Sequence, residues 1–353
     1  MIRCSAAAAG LGVVLVLTGC GGSAHDAVTT RPVTPSTTAN PIPAAPLRRW
    51  RGPVEHLFFH PLVSSPRLAF TPDKLGQGFK DYFIDVREFR RIMPQLYRHG
   101  WVLVDIHAVA SGPLLVPVGK KPLLLSIDDL NYNGYMRERG TGWRLILDRS
   151  GNVQVEERTS DGHRRGSRTQ EIVPLLDDFV AAHPDFSLNG AKGVIAETGY
   201  EGVLGERTNE LHAPDIAARR ERVRRLVSRL KATGWTFASH SFGHLDFAHI
   251  PLDRAVRDAT RWRDEVEPLV GKTDVFIYAF GALAPPSTRV VLTRQFGFRI
   301  FCSIDVNPVL QRSGGVVTIA RRHIDGFAFD GQRRALKPFF NVADVIDRGA
   351  RRG

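Results

Sequence analysis

The apolar run Pro122-Leu123-Leu124-Leu125-Ser126-Ile127 places the strongest constraint on the fold, and it ends in the pair Asp128-Asp129. A strand with one face in water alternates apolar and polar residues, whereas a strand buried on both faces is apolar almost throughout. The run therefore predicts a strand within a parallel sheet or barrel. Two carboxyl groups follow at the carboxyl end of that strand.

Other predicted strands alternate with helices over most of the chain. They are Trp101–Val104, Gly193–Ala196, Trp235–Ala238, Val275–Tyr278, 299–304 and Val316–Ala320. Apolar residues at helical spacing predict helices that begin near Asp85 and Asp215, and further helices over 252–269 and 286–296. Asp85 and Glu88 also have the spacing of a helix capping box.

Repeated strand–helix units of this kind predict a parallel (β/α) barrel, with room for irregularity. Residues 131–168 are polar and rich in glycine, so they predict an inserted hairpin or loop, within an insertion that extends to about residue 190. In barrels of this kind, functional side chains gather at the carboxyl ends of the strands.

Composition excludes some classes of protein. With 43% hydrophobic and 24% charged residues, the 353-residue chain has the composition of an ordinary globular protein. Its formal net charge of +12 comes mostly from arginine and would attract anionic lipids or wall polymers, although a coding bias toward arginine is the simpler explanation. No run of Lys and Arg is interleaved with aromatic residues, so nucleic-acid binding is not predicted.

The N-terminus predicts export and a lipid anchor. Arg3 is followed by an apolar stretch too short to span a bilayer, so residues 1–19 are interpreted as a signal peptide. Leu17-Thr18-Gly19-Cys20 resembles a bacterial lipobox, which implies lipidation of Cys20; an ordinary cleaved signal is the alternative. Residues 20–52 are rich in Gly, Ser, Thr, Pro and Ala and predict a flexible tether. The predicted location is the outer face of the cytoplasmic membrane or the cell envelope.

Cys302 is the remaining cysteine of the predicted folded domain, residues 53–353, and lies in an apolar stretch. A single cysteine forms no internal disulfide bond. A role as a nucleophile is one interpretation, but a cysteine in a buried strand is usually an inert apolar side chain.

Two groups of polar residues follow predicted buried strands. Asp128-Asp129 follows one strand, and His240-Ser241-Phe242-Gly243-His244 follows another. The histidine spacing predicts two imidazoles on one side of a helical turn, which is a common way to hold a divalent metal. Two histidines and one carboxylate leave positions open for water and substrate, and a second carboxylate supplies a base. Each group is common by itself, and the combination indicates a metal-dependent hydrolase.

These motifs resemble those of the family-four carbohydrate esterases, the polysaccharide deacetylases. Leu125-Ser126-Ile127-Asp128-Asp129 is similar to their Thr-Phe-Asp-Asp motif, and His240-Ser241-Phe242-Gly243-His244 matches their His-Ser/Thr-x-x-His motif, in the same order along roughly residues 80–330. The resemblance implies a distorted (β/α) barrel of about seven strands. It also implies Asp128 as the general base and Asp129, His240 and His244 as ligands of a divalent metal, zinc or alternatively Co, Mn or Ni.

A third motif departs from the family. The family commonly has Arg-x-Pro-Tyr/Phe-Gly, whereas this chain has Ile277-Tyr278-Ala279-Phe280-Gly281. Asp128 is therefore predicted to lack the usual arginine partner. The resemblance implies that Tyr278 and Phe280 contact substrate and that the Phe280 N–H faces the oxyanion. The alternative is a buried strand and its turn.

The general acid is not placed by the sequence. His323 is out of register with the family's Leu-x-His motif, so it is either the acid or a surface histidine. Tyr200 and Glu201 follow another strand and are either cleft residues or turn residues.

Three functions remain open. The first is removal of acetyl groups, most simply N-acetyl groups, from a polysaccharide of the cell envelope or outside the cell. The second is a weak or inactive anchored glycan-binding protein, and the third is an O-acetyl esterase, which needs less help from an acid.

Overall fold

The structure, a computed structural model, describes residues 45–159 and 161–352. The predicted signal peptide, Cys20 and most of the predicted tether lie outside the described residues. The chain from Ala45 onward forms one compact unit, with its own barrel and hydrophobic core. No helix in the described residues is long and apolar enough to cross a membrane.

Fourteen strands form three sheets in the described residues. They are β1 (Leu47–Arg49), β2 (Glu55–Phe59), β3 (Trp101–Leu103), β4 (Leu115–Pro117), β5 (Lys121–Asp128), β6 (Arg144–Leu147), β7 (Val153–Arg158), β8 (Arg164–Ser167), β9 (Gly193–Glu197), β10 (Trp235–Ser239), β11 (Val275–Ile277), β12 (Ile300–Ile304), β13 (Leu310–Ser313) and β14 (Val316–His323).

The helices lie between and around these strands. They are α1 (Pro66–Ala69), α2 (Lys74–Tyr82), α3 (Val86–Arg98), α4 (Ile106–Ser111), α5 (Gly134–Glu138), α6 (Ile172–Ala182), α7 (Ile216–Ala232), α8 (Leu252–Glu265), α9 (Glu267–Val270), α10 (Pro286–Phe296), α11 (Gly326–Gly331), α12 (Arg333–Leu336), α13 (Val342–Val345) and α14 (Arg348–Arg351).

A closed ring of seven parallel strands forms the barrel. Strands β2, β5, β9, β10, β11, β12 and β14 pair in this order, and β14 pairs with β2 to close the ring. The predicted (β/α) barrel is therefore confirmed. Residues that alternate along these strands fill its interior, among them Leu124, Ala196, Ile277 and Ile319. The opening at the carboxyl ends of the strands is called the mouth below.

The membership of the ring differs from the sequence prediction at one strand. The strand at Trp101–Leu103 exists, but it pairs with the first residues of β5, forms one further bridge from Leu103 to Ser187, and lies outside the ring. Its place is taken by Glu55–Phe59, for which no strand was predicted. The reason is that this segment follows directly on the Pro-rich stretch and carries Glu55 and His56 within a run of only five residues.

The predicted insertion contains an antiparallel sheet of three strands, β6, β7 and β8, rather than a single hairpin. Helices α5 and α6 flank it in sequence. Leu145, Val153 and Val155 of this sheet are buried and belong to the core outside the barrel.

Strands β1 and β4 form a two-stranded antiparallel ribbon near the amino-terminal end of the barrel. Val116 of β4 is buried in the barrel core, whereas all three residues of β1 are exposed. The flexible tether predicted over residues 20–52 is therefore wrong for Leu47–Arg49, because backbone pairing with β4 fixes these residues.

The predicted capping box of α3 is confirmed. Glu88 N–H donates to Asp85 over 2.8 Å, and Asp85 N–H donates to the Glu88 carboxylate over 3.0 Å. The same buried carboxylate accepts from Arg351 Nε over 2.7 Å and from Asp347 N–H over 2.9 Å. Glu88 thus joins the start of α3 to the C-terminal helix.

We expect Glu88→Ala to lower the free energy of unfolding by about 2–3 kcal/mol, because it leaves buried donors unpaired. The loss stays moderate because Arg351 keeps its bonds to the carbonyls of Lys80 and Phe83. Chemical denaturation measures the change. Glu221→Ala, which removes an exposed pair with Arg224, is the control and should change stability by less than about 0.5 kcal/mol. Equal losses for the two variants would contradict the assignment.

Candidate metal centre and active site

The two predicted polar motifs meet at the mouth. Strand β9 lies between β5 and β10, and its backbone fixes the residues that follow both neighbours. Asp129 N–H donates to the Ala196 carbonyl over 3.2 Å, and His240 N–H donates to the Glu197 carbonyl over 3.0 Å. As a result His244 Nε2 lies 3.5 Å from an Asp129 carboxylate oxygen, and His240 Nε2 lies 3.7 Å from one of Asp128.

Asp129, His240 and His244 fit a divalent metal ion. One ligand atom from each lies within 4.8 Å of the other two. His240 Nδ1 lies 2.9 Å from the Ile277 carbonyl, and since a carbonyl only accepts, Nδ1 carries the proton and Nε2 keeps its lone pair for a metal. Asp129 Oδ1 is buried without a hydrogen-bond partner in the described residues, which is costly unless a cation lies nearby.

The segment that carries the two histidines is a loop, so the predicted helical turn is wrong. Ser241 and His244 adopt left-handed backbone conformations, with φ of 61° and 52°, and Asp129 does so across the mouth with φ of 61°. Such conformations cost free energy in residues other than glycine and persist where the surroundings hold them. The three-residue cluster is therefore held in place by its supports rather than by local helical preference.

Asp258 on α8 holds this loop in place through hydrogen bonds. Its carboxylate accepts from Phe242 N–H over 2.7 Å and from Gly243 N–H over 2.8 Å, between the two histidines in sequence. Ser241 Oγ also accepts from Leu245 N–H over 2.9 Å. These bonds pair the N–H groups of Phe242, Gly243 and Leu245 with side-chain oxygens. In a helix the same N–H groups would donate to backbone carbonyls four residues earlier, so the side-chain bonds favour the loop.

We expect Asp258→Ala to weaken zinc binding by about 10- to 100-fold, because a metal site loses this much when the groups that orient its ligands are removed. Competition with a chromophoric chelator measures the dissociation constant. Asp246→Ala is a matched control, because Asp246 lies in the same loop but accepts from Ala248 N–H and contacts His249. Unchanged zinc affinity in Asp258→Ala would contradict the role of this carboxylate.

Asp128 has a cationic partner, so the prediction that it lacks one is wrong. Arg321 Nη1 lies 2.7 Å and 2.9 Å from the two carboxylate oxygens of Asp128. Arg321 is fully buried in β14, two strands away from β5 around the ring, and it also donates to Ser126 over 3.2 Å. In the third motif, Ile277 and Ala279 occupy the positions of the family's Arg and Pro. The guanidinium beside Asp128 comes instead from Arg321 of β14.

The environment of Asp128 keeps its carboxylate ionised. Burial alone raises the pKa of Asp128, but the positive charge of Arg321 and its hydrogen bond to Asp128 outweigh burial and lower the pKa to about 2. His56, which lies 3.0 Å from Ser126 Oγ, has its pKa lowered well below the usual value by burial and by the charge of Arg321. Around Asp128, the described residues of the barrel interior therefore include the positive charge of Arg321 and a neutral His56.

Two further histidines lie at the mouth on the side of β2 and β14. His323 Nδ1 donates to Asp325 over 3.1 Å, and its ring centroid lies 4.7 Å from that of Phe58. His60, which directly follows β2, donates from Nδ1 to the Tyr82 carbonyl over 3.0 Å and is near enough to contribute to the lowered pKa of Asp128. In each ring the bond at Nδ1 leaves Nε2 for another partner.

Sequence reasoning missed His60 and Arg321. His60 stands at the end of an unpredicted strand, and Arg321 lies one residue beyond the predicted end of β14. The alternation of side chains along a strand could have located Arg321. Ile319 faces the barrel interior, and residues two apart on a strand share a face. A strand extended to His323 would have placed Arg321 and His323 on the interior side.

The two predicted substrate-contacting residues separate in the structure. Tyr278 is 1% exposed and packs between the barrel and its helices against Phe276 and Phe301, so its prediction as a substrate contact is wrong. Alternation explains this, because Ile277 takes the interior position. Phe280 is 59% exposed, and its ring centroid lies 5.0 Å from that of His244. No acceptor in the described residues takes a hydrogen bond from the Phe280 N–H.

Tyr135 and Tyr200 lie near Asp129, one of the three candidate metal ligands. Burial, followed by the negative charge of Asp129, raises the pKa of the half-buried Tyr200. Glu201 instead accepts from Gly134 N–H over 2.7 Å and pairs with Arg207 over 3.0 Å, which makes it a turn residue. Cys302 is buried inside the barrel, and burial raises the pKa of its thiol to about 12, so it is not a nucleophile at neutral pH.

Comparisons with known proteins add a structural likeness. No protein-family profile and no curated protein sequence matches the chain. The Streptococcus pyogenes deacetylase PplD, solved in complex with acetate, matches with a TM-score of 0.46 and 13% identity over 78% of this chain and 93% of that one. A Mycobacterium smegmatis protein, provisionally described as a polysaccharide deacetylase, matches with a TM-score of 0.29 and 17% identity over 46% and 48%. Both TM-scores are below 0.5, so neither likeness indicates what this chain does.

Proposed function

We propose that this protein is a metal-dependent hydrolase that removes acetyl groups, N-acetyl groups in the first place, from a polysaccharide of the cell envelope or outside the cell. The observation that carries the proposal is the arrangement of Asp128, held by Arg321, next to three residues that fit a divalent metal. One carboxylate is free to act as a base while the other serves as a ligand. Metal-assisted hydrolysis of an acetyl group requires both a metal ligand and a separate base.

A divalent ion held by Asp129, His240 and His244, with zinc as our first choice, would supply Lewis acidity that polarises the acetyl carbonyl and lowers the pKa of water. Three protein ligands leave a position open, as in catalytic rather than structural zinc sites. Co, Mn and Ni suit the same donor set.

Asp128 is the proposed general base. It takes a proton from the attacking water, whose oxygen bonds to the carbonyl carbon. Arg321 keeps the carboxylate charged and fixes its orientation. The Phe280 N–H is proposed to donate to the carbonyl oxygen as negative charge develops there.

His60 and His323 are the two candidates for the single proton donor. When the carbon–nitrogen bond breaks, the leaving nitrogen needs a proton to depart as an amine, and an imidazolium supplies one near neutral pH. Their Nδ1 partners, the Tyr82 carbonyl and the Asp325 carboxylate, hold the two rings at the mouth. The products are acetate and a free amine on the sugar.

The test is acetate release from acetylated chito-oligosaccharides and from wall fragments by the zinc-loaded protein. We expect acetate from at least one N-acetylated glycan. No acetate from any glycan, with zinc demonstrably bound, would contradict the proposal. O-acetylated glycans measured in parallel distinguish the esterase, which would release acetate from these alone.

Variants separate the two candidate acids. His60→Gln and His323→Gln are compared with His107→Gln, a histidine at the opposite end of the barrel that pairs with Asp274. The acid is the residue whose loss slows N-acetyl hydrolysis more than O-acetyl hydrolysis, because an alcohol leaves more readily than an amine. Equal rates for all three variants would exclude both histidines.

We also propose export and lipid anchoring at Cys20, supported by Leu17-Thr18-Gly19-Cys20. Two acyl chains are enough for a stable anchor. Labelling with a fatty-acid analogue should mark the protein in a bacterial host with lipoprotein processing and should not mark Cys20→Ala. Equal labelling of both, or of neither, would contradict the proposal.

A further inference from the structure

A group of exposed apolar and basic residues lies on the β1–β4 ribbon. Leu47 is 55% exposed, Leu115 is 47% exposed, and Val118, just after β4, is 55% exposed. Leu47 pairs with Pro117 and Arg49 pairs with Leu115, so the side chains of Leu47 and Leu115 lie on one face of the ribbon, opposite the face that carries the buried Val116. Exposed apolar side chains that cluster in this way usually mark a binding surface.

Positive charge surrounds this apolar group. Arg48 and Arg49 of β1 and Arg51 just after it are exposed. A cleft of about 470 Å³ adjoins the ribbon, and the described residues that line it include Arg49, Arg51 and Arg312 and no carboxylate. Arg48 lies over the Trp50 ring, 5.1 Å from its centroid. Within the described residues, Arg48, Arg49 and Arg51 have no ion-pair partner. Apolar side chains beside such arginines and a tryptophan are typical of a surface that lies on a bilayer with anionic headgroups.

The position of the ribbon fits that partner. Residue 45, where the described chain begins, is two residues before β1, so the preceding segment with Cys20 joins the barrel at this ribbon. The ribbon is at the amino-terminal end of β5, and Asp128 is at the other end, about 23 Å away for eight residues of strand. A bilayer at the ribbon would leave the mouth facing outward.

We propose that the β1–β4 ribbon is a docking surface for an anionic lipid bilayer. Leu47 and Leu115 enter the headgroup region, and Arg48, Arg49 and Arg51 contact lipid phosphates. The proposal does not depend on the chemistry at the mouth. It adds a second contact to a lipid at Cys20 and sets the orientation of the barrel.

The test uses residues 45–353, which contain the whole barrel and core and no residue of the lipobox. Co-sedimentation measures binding to phosphatidylcholine vesicles with and without phosphatidylglycerol. We expect binding only with the anionic lipid. The triple variant R48Q/R49Q/R51Q should bind about a hundredfold more weakly, at about fivefold for each arginine. The matched control R224Q/R225Q/R229Q removes the same charge from the exposed face of α7 and should bind like the parent.

A second pair of variants distinguishes a bilayer from a soluble polyanion. L47S/L115S should bind vesicles roughly tenfold more weakly, because the apolar side chains no longer enter the lipid. L211S/L252S, at two other exposed leucines, is its control. Equal vesicle binding by either test variant and its control would overturn the proposal. Binding to soluble polyphosphate that matches vesicle binding, with no loss in L47S/L115S, would also overturn it and indicate an anionic polymer.

Discussion

Arg321→Met is expected to abolish measurable acetate release and to lower the free energy of unfolding by about 3–5 kcal/mol. Both Arg321 and Asp128 are buried, and their side chains are 0% and 3% exposed. Removal of the guanidinium leaves the Asp128 carboxylate without its counter-charge, and burial then favours the protonated form, which is no base. Denaturation and acetate release measure the two effects.

Arg322 provides the control for this variant. It is the next residue of β14, its side chain is 6% exposed, and it lies 3.6 Å from Glu55 on the other face of the strand. Arg322→Met should destabilise the protein as well, but the folded fraction should keep its activity. Arg321→Lys, which retains a charge, should be more stable and more active than Arg321→Met. Full activity in Arg321→Met would contradict the role of this arginine.

Asp128→Asn is expected to slow acetate release by about 10²- to 10⁴-fold, the usual contribution of a general base. An amide cannot take the proton from water, and the three proposed metal ligands remain in place. Zinc affinity should therefore change little, while the rate at saturating substrate falls. Single-turnover assays with the zinc-loaded variant measure the chemical step directly.

Asp274→Asn is the matched control for Asp128→Asn. Asp274 precedes β11 at the amino-terminal end of the barrel and pairs with His107. The change should leave acetate release within about twofold of the parent, since surface substitutions away from the site have small effects. A loss of zinc from Asp128→Asn would instead mean that Asp128 is a ligand rather than the base.

The sequence predicts the barrel because its strands are buried on both faces and therefore continuously apolar. The run at 122–127 lies within β5, and Trp235–Ala238 lies within β10. Strand ends then place Asp128-Asp129 and His240 at one mouth, since parallel strands end on the same side. This much follows from local pattern and from the geometry of parallel strands.

The contact between Arg321 and Asp128 does not follow from local pattern. It joins residues 193 positions apart in sequence, and it depends on β14 pairing with β2, a strand that the sequence did not predict. The prediction that Tyr278 contacts substrate failed for a related reason. A sequence motif does not define which residue of a short strand faces the barrel interior, and here that residue is Ile277. The loop of His240 and His244 was missed because its shape depends on Asp258, which is contributed by another element.

The most direct test of the central claim is acetate release before and after chelation and metal replacement. The protein, stripped of metal by dialysis against a chelator, should release no acetate, and one equivalent of zinc or another suitable divalent ion should restore the activity. The variant H240A/H244A should stay inactive after the same addition and bind no ion at that stoichiometry. Sustained acetate release by the metal-free protein, or full recovery in H240A/H244A, would contradict the assignment of Asp129, His240 and His244 as the catalytic metal site.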